Sequence, residues 1–324
     1  MPASSSQNTG NRTLTNMSIG FMPGDSMVGD KILPVLPTGT GETFRYFEYD
    51  QGAFTGRHAM GAGDNAGLRV KGDTYERRDF GGSETSGLCQ EYGYEAIVDK
   101  RDQSESKLVG YDALQDAMIQ ARVDWMLDRE RRAAALLFNA TTFSGVTAAL
   151  SGSDQWDNVD SNPITQALTA KKSIRRSAAW AFPGRIFGLL VGAEVDDALR
   201  DNDALVERIK YTQKIDMISD ANIAAYFGVQ EYVVGEGVYN SAADDGAGAH
   251  TGADIWGKFA LFYVRPSSPG RRIPALGYCH TAEKYMQEQY YSPDRRSDVV
   301  RARDVSIYKL GTKYAGYLWS TAIS

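Results

Sequence analysis

Between Tyr111 and Phe138 the chain has neither glycine nor proline, and its apolar residues fall on one side of a helix. Tyr111, Leu114, Met118, Ala121 and Trp125 recur at steps of three and four, which keeps their side chains on one face. Ile119, Val123 and Leu127 form a second stripe beside it, and Ala133 to Leu137 carry the pattern to Phe138. At about 1.5 Å per residue such a helix is a rod of roughly 40 Å. Its opposite side carries Asp116, Arg122, Asp124, Asp128, Arg129, Arg131 and Arg132. Those charges read as a solvated face, with ion pairs to another subunit as the alternative. The chain before the rod reads as extended, and the chain after it as a compact α/β segment.

Residues 1–20 are rich in Ser, Asn and Thr, carry the single charge Arg12, and do not fold alone. Pro23, Pro34 and Pro37 then break a run containing Ile32, Leu33, Val35 and Leu36, which predicts an extended arm rather than a helix. That arm needs a surface, its own domain's or a neighbour's. The aromatic run Phe44 to Asp50 reads as a strand. Gly52, Gly56, Gly61, Gly63, Gly67 and Gly72 follow, and Tyr75 to Phe80 resumes an extended, charged pattern. The simplest assembly is a long hairpin with a Gly-rich tip, marginal on its own in water and resting on another subunit. Leu88 to Val98 reads as a further strand, with Tyr92 and Tyr94 on one face.

After the rod, Asn162 caps a helix that opens on Pro163 and runs to about Arg176. Ile186 to Val191 reads as a buried strand and Ala193 to Arg200 as a short helix. Ser219 caps a helix from Asp220 to Phe227 that stops at Gly228, and Val229 to Val234 is the next strand. Residues 241–254 read as a surface loop, and Ile255 to Val264 as a strand. From Gly277 the chain reads as two long strands about a turn at Ser292-Pro293-Asp294, with charges of both signs suited to a polar contact surface.

No motif assembles an active site. Gly61-Ala62-Gly63-Asp64-Asn65-Ala66 fits a loose dinucleotide pattern but lacks the preceding strand and following helix that such a loop needs. His58, His250 and His280 are far apart, and Asp124, Asp128 and Glu130 sit among arginines where ion pairing outweighs acid–base work. Asp244, Asp245 and Asp254 lack the spacing of a calcium loop. Cys89 and Cys279 have no zinc or redox spacing and read as small apolar residues in a reducing compartment. A net charge of −6 excludes a broad basic footprint for tight nucleic-acid binding, although a weak local contact fits. No apolar run reaches the ~18 residues of a membrane span. No catalytic, cofactor-binding or metal residue is therefore assigned, and no cofactor is expected.

An ordered series of short segments across residues 17–324 resembles the tailed-phage major capsid proteins of the HK97-type fold, near their lambda-like branch. Tyr46-Phe47-Glu48-Tyr49-Asp50 with Phe54 resembles the beginning of that family's extended loop. Arg129-Glu130 with Ala133-Ala134 and Leu137 resembles the end of its spine helix, and Trp156 with Asn162-Pro163-Ile164 the start of the next helix. Phe227-Gly228-Val229, Val233-Val234-Gly235, Tyr239-Asn240, Ile255-Trp256-Gly257, Leu261 and Tyr263-Val264 resemble its axial domain. Lys71, the one lysine in residues 44–80, is given no cross-linking role.

The resemblance implies an α+β, HK97-like fold with an N-terminal arm (1–40), an extended β-hairpin loop (41–87) and a peripheral domain with a spine helix (88–185). An axial α/β domain (186–276) and strands returning to the peripheral domain (277–324) complete it. It further implies a non-enzymatic subunit, made in the host cytoplasm, that assembles with itself as hexamers and pentamers. These would close into an icosahedral virion shell around double-stranded DNA, which the shell touches weakly and without sequence specificity. Scaffold, portal and decoration proteins are its further expected partners; a membrane is not. An encapsulin-like compartment with enzyme cargo is the rival within the same fold. An α/β enzyme built on residues 186–264 fails because Gly192-Ala193-Glu194 is too short for a phosphate-binding turn. A tail or decoration protein would be smaller or repeat-rich.

Overall fold

The computed structural model describes residues 28–39, 41–51, 69–74, 82–109, 112–177, 184–212, 218–241 and 251–324. It opens with a helical turn α1 (Gly29–Ile32), strand β1 (Val35–Pro37), the ribbon strands β2 (Thr43–Tyr49) and β3 (Gly82–Leu88), and strand β4 (Gln90–Asp99). Helices α2 (Lys100–Val109) and α3 (Ala113–Leu137) follow, then β5 (Thr147–Ala149) and helix α4 (Pro163–Ser177). The next stretch is β6 (Ile186–Gly192), α5 (Ala193–Asp201), α6 (Asp203–Thr212), α7 (Asp220–Phe227) and β7 (Glu231–Gly235). The chain ends with β8 (Val238–Asn240), β9 (Gly252–Asp254), β10 (Ala260–Arg265), β11 (Gly277–Ser292), β12 (Ser297–Leu310) and β13 (Gly316–Ser320).

The rod is α3, started by Asp112, whose carboxylate accepts the Leu114 N–H at 3.1 Å. It lies across a four-stranded sheet of order β1-β11-β12-β4. Met118 meets Val300, and Ala121, Trp125 and Met126 meet Ala302, so the small β12 residues let the helix sit close. The charged side of α3 departs from the solvated face that its sequence suggests. Arg122, Arg129 and Glu130 are buried, each less than a tenth exposed. The hydrogen-bond partners of Arg129 and Glu130 lie far off in sequence, so spacing along the helix alone does not reveal them.

β11 and β12 form the long antiparallel pair expected about Pro293, running from Gly277↔Leu310 to Ser292↔Ser297. Two register shifts, after Thr281 and after Glu283, place extra residues in β11 and swing Tyr285 onto the Trp125 ring, with centroids 4.5 Å apart. The arm before β1 is corrected in part. Val35–Pro37 is extended and pairs in parallel with β11 of its own chain, but Gly29–Ile32 is helical. Pro34 follows that turn rather than interrupting it, and the turn's free N–H groups are held by α3. The partner of β2 is Gly82–Leu88, a Gly/Ser-rich stretch that gives no strand signal. Gly87 is required there because a Cβ would strike the Phe44 ring. The glycines from Gly52 to Gly67 and the segment Tyr75 to Phe80 lie outside the described residues, as do residues 1–27.

The second sheet has the order β5-β13-β10-β6-β7, with β6 and β7 parallel. Its faces carry the main core, in which Trp156, Trp256 and Trp319 are fully buried. Helix α4 has the expected Asn162 cap, and α7 is bounded by the Ser219 cap and by Gly228 at φ 60°. Strand β10 begins later than anticipated, because Ile255 to Phe259 turn to bring Trp256 under α3. Gly192 sits against the Trp256 and Gly257 carbonyls, where a methyl group would collide with backbone. Gly316–Ser320 is a second correction: β13 joins this sheet instead of the one containing β11 and β12. Helices α2 and α6 are started by local bonds, and α6 is seated in the main core by Leu205. The Asp99 carboxylate accepts the Arg101 N–H at 2.8 Å, and the Asn202 side chain accepts Ala204 N–H while donating to the Trp156 carbonyl.

Candidate functional site

Two adjacent residues of α3 join the pieces of the molecule. The Glu130 carboxylate accepts the Val28 N–H at 2.6 Å, the Gly29 N–H at 3.0 Å and the Trp256 Nε1–H at 2.9 Å. One side chain thus fastens the arm turn and the β10 approach to the central helix. Gly29 is fixed by this packing, since its Cβ would lie 2.7 Å from Ala133 Cβ. Burial pushes the Glu130 pKa above the usual carboxylate range, against the pull of its three N–H donors.

Arg129 turns the other way, into the sheet. Its guanidinium donates to Asp304 at 2.6 Å, to Asp30 at 3.1 Å and to the Cys279 thiol at 3.1 Å. Trp125 Nε1–H donates to Asp304 at 2.8 Å, and the Tyr308 hydroxyl donates to Asp30 at 2.8 Å. Although burial opposes its charge, Arg129 is held above its ordinary pKa by Tyr308, Asp30 and Cys279. Arm, helix and sheet therefore share one charge-paired network, and such charge-assisted bonds are the stronger class.

The β2–β3 ribbon is attached at its root. Phe44 stacks on His280 of β11 with centroids 4.1 Å apart, while Tyr46 and Tyr278 approach the same ring at 5.8 and 6.2 Å. Burial, with Arg271 and Lys309 nearby, pushes His280 down to about 4. The unfolded chain takes up that proton near 6.5, so it binds more protons than the fold between these values. Stability supplied by neutral His280 is then complete above about pH 6.5 and falls by on the order of 3 kcal/mol as pH drops to 4. Urea unfolding of wild type and His280→Phe across this window should show the difference between them shrinking by that amount; parallel curves would refute it.

On the outer face of the β4–β12–β11 sheet, Arg301 pairs with Glu95 at 2.6 Å, and Arg303 reaches Glu283 at 2.7 Å and Glu288 at 3.1 Å. Ile97, Tyr290 and Tyr291 stand exposed toward the turn at Pro293. Of the carboxylates weighed for chemistry, Asp128 pairs with Arg132 as expected, whereas Asp124 accepts from the Gln120 amide and Glu130 from N–H groups instead of from an arginine. Asp254 lies on β9 opposite Val238, and both cysteines are buried. Lys71 occupies an exposed turn. His58, His250, Asp244, Asp245 and the Gly61–Ala66 stretch fall outside the described residues. Among the described residues no His, Cys, Asp and Glu side chains group to hold a metal, and no helix is long and apolar enough to cross a membrane. Asp30 and Asp304 carry no sequence signal of their own.

No protein-family model matches the chain. It is 25% identical over 328 residues to the major capsid protein of Burkholderia phage BcepMu, an alignment covering 95% of this chain and 94% of that one. It is 31% identical over 164 residues to the major capsid protein of Pseudomonas phage JBD67, about half of each chain. Among solved structures, a phage-related protein from Bordetella bronchiseptica superposes with a TM-score of 0.73 at 21% identity, covering 97% of both chains. The mature capsid of bacteriophage PhiM1 superposes at 0.52 and 12% identity, over 88% of this chain and 84% of that one. The chain has the HK97-type fold of phage capsids, and along nearly its whole length it is similar to a phage major capsid protein. In this chain the arm, helix α3, the four-stranded sheet and the turn at Trp256 before β10 are held together at Arg129 and Glu130. The two-stranded ribbon meets the rest of the described chain at the aromatic cluster around His280 and at Tyr49, whose N–H and hydroxyl donate to the Gly311 and Arg272 carbonyls.

Proposed function

We propose that the chain is the structural, non-catalytic subunit of a virion shell, associating as hexamers and pentamers into an icosahedral particle around double-stranded DNA. The observation that carries this is the β2–β3 ribbon, a separate two-stranded sheet that touches its own chain at the His280 cluster and through Tyr49, which bonds to Gly311 and Arg272. Such a ribbon is marginal alone and gains stability by lying on a neighbour, and closed symmetry covers every such edge. The four-stranded sheet with α3 serves as the peripheral domain and the five-stranded sheet as the axial one, facing the capsomer centre. Scaffold, portal and decoration proteins are its further partners. The relatives' names favour a genome-enclosing shell over an encapsulin-like compartment.

Electron microscopy of the purified chain, fractionated by size, tests the reading. Uniform hollow shells or rings of five and six are expected. A chain that stays monomeric, alone and beside its candidate scaffold, would overturn it. Copurifying enzyme cargo in place of DNA would move it to the compartment reading.

A further inference from the structure

Helix α4 (Pro163–Ser177) is unlike the rest of the chain in charge. It carries Lys171, Lys172, Arg175 and Arg176 and no acidic residue, within a protein of net charge −6. All four cations fall in its C-terminal half. A helix end carries only about half a negative charge, so one cation offsets the dipole and the others need another explanation. Among the described residues Lys172, Arg175 and Arg176 are exposed and have no carboxylate within ion-pair distance. The outer sheet behaves otherwise, with Arg301 and Arg303 matched to four glutamates. Lys171 donates to the Gly228 carbonyl at 2.7 Å and stands over the Phe187 ring at 5.2 Å. Its pKa is lowered by burial and by neighbouring Arg175, which marks the crowding of like charge.

We infer that the exposed face of α4 is a contact surface for the phosphodiester backbone of double-stranded DNA. The inference rests on the proposed shell role and names the surface by which that shell meets its contents. The rest of the face favours phosphate over a protein partner. Thr165 and Thr169 are exposed beside the cations, and Leu168 is its one exposed large apolar residue. A protein interface needs a dehydrated apolar centre, whereas phosphate contacts are drawn from lysine, arginine and hydroxyl side chains. Because the surrounding chain is acidic, the contact is local, weak and independent of sequence. That suits a wall that must hold DNA without gripping it.

The test measures binding of the full chain to a short DNA duplex over a salt series, for wild type and for Lys172→Gln/Arg175→Gln/Arg176→Gln. Glutamine keeps helix propensity, and the thermal midpoint and microscopy of the variant check fold and assembly. Each phosphate contact contributes about −0.9 to the slope of log affinity against log salt. The variant's slope should therefore be shallower by roughly 2–3 units, with at least a ~10-fold loss of affinity at low salt. Equal slopes, or no DNA binding by wild type, overturn the inference while leaving shells visible by microscopy intact as a result. A loss of slope without any shells sinks the shell reading and keeps the surface. If the variant loses binding to polyglutamate but keeps its DNA slope, the partner is an acidic protein and the inference falls.

Discussion

Replacing Asp304 by alanine should cost about 3–5 kcal/mol of stability, the range for removing one partner of a buried ion pair. Asp304 is 1% exposed and accepts from Arg129, Trp125 and Ser306, with Arg132 at 3.9 Å. Its loss leaves the Arg129 guanidinium with one carboxylate, Asp30, whose side chain is 47% exposed. It also leaves the Trp125 Nε1–H without its acceptor inside the helix–sheet layer. An exposed pair gives the contrast. Arg45 and Glu84 meet at 3.3 Å with side chains 73% and 44% exposed, so Arg45→Ala should cost under about 1 kcal/mol. Urea unfolding of dissociated subunits compares the two through their midpoints at equal slope. Similar losses would mean that the network around Asp304 is no anchor. Asp304→Asn, which keeps an acceptor for Trp125 but removes the charge, should fall between them.

The same network shows where sequence reasoning ended. Helix α3 was legible because its apolar steps of three and four are local. The β11–β12 pair was legible because Pro293 marks its turn, and α7 because Ser219 and Gly228 mark its ends. Strands β5 and β13 were not, since Thr147–Ala149 and Gly316–Ser320 are short and become strands through pairing with each other and with β10. The charge of Arg129 reads outward on a helical wheel. Its burial follows from Asp304, 175 residues away, and Asp30, 99 away, and neither distance leaves a local trace. The capsid reading came from the order of many weak segments. The joint at Glu130 leaves no mark in the sequence, because two of its three donors are backbone N–H groups that any residue but proline supplies.

Glu130→Ala should cost about 3–4 kcal/mol and free the arm turn. It removes the shared acceptor of three buried donors, each worth about 1–3 kcal/mol when left unpaired, though such losses overlap and do not add. The effect should be local as well as global. Hydrogen exchange at the Val28 and Gly29 amides should accelerate far more than exchange in α7, which has no part in the joint. Uniform acceleration would show that Glu130 fills space rather than fastening the arm. Glu130→Gln supplies the electrostatic control. Burial raises the Glu130 pKa above its ordinary 4.5, so the folded state holds this proton to higher pH than the unfolded chain does. The stability tied to that proton is present below about 4.5 and is lost as pH rises through the folded value. His280 runs the opposite way, losing stability as pH falls from 6.5 toward 4. Subtracting the Glu130→Gln curve from wild type should therefore give a slope opposite in sign to the His280→Phe difference. With both groups in one chain, mild acid removes stability drawn from neutral His280 while it relieves the burial cost of ionised Glu130, so the two residues pull the pH dependence of unfolding in opposite directions.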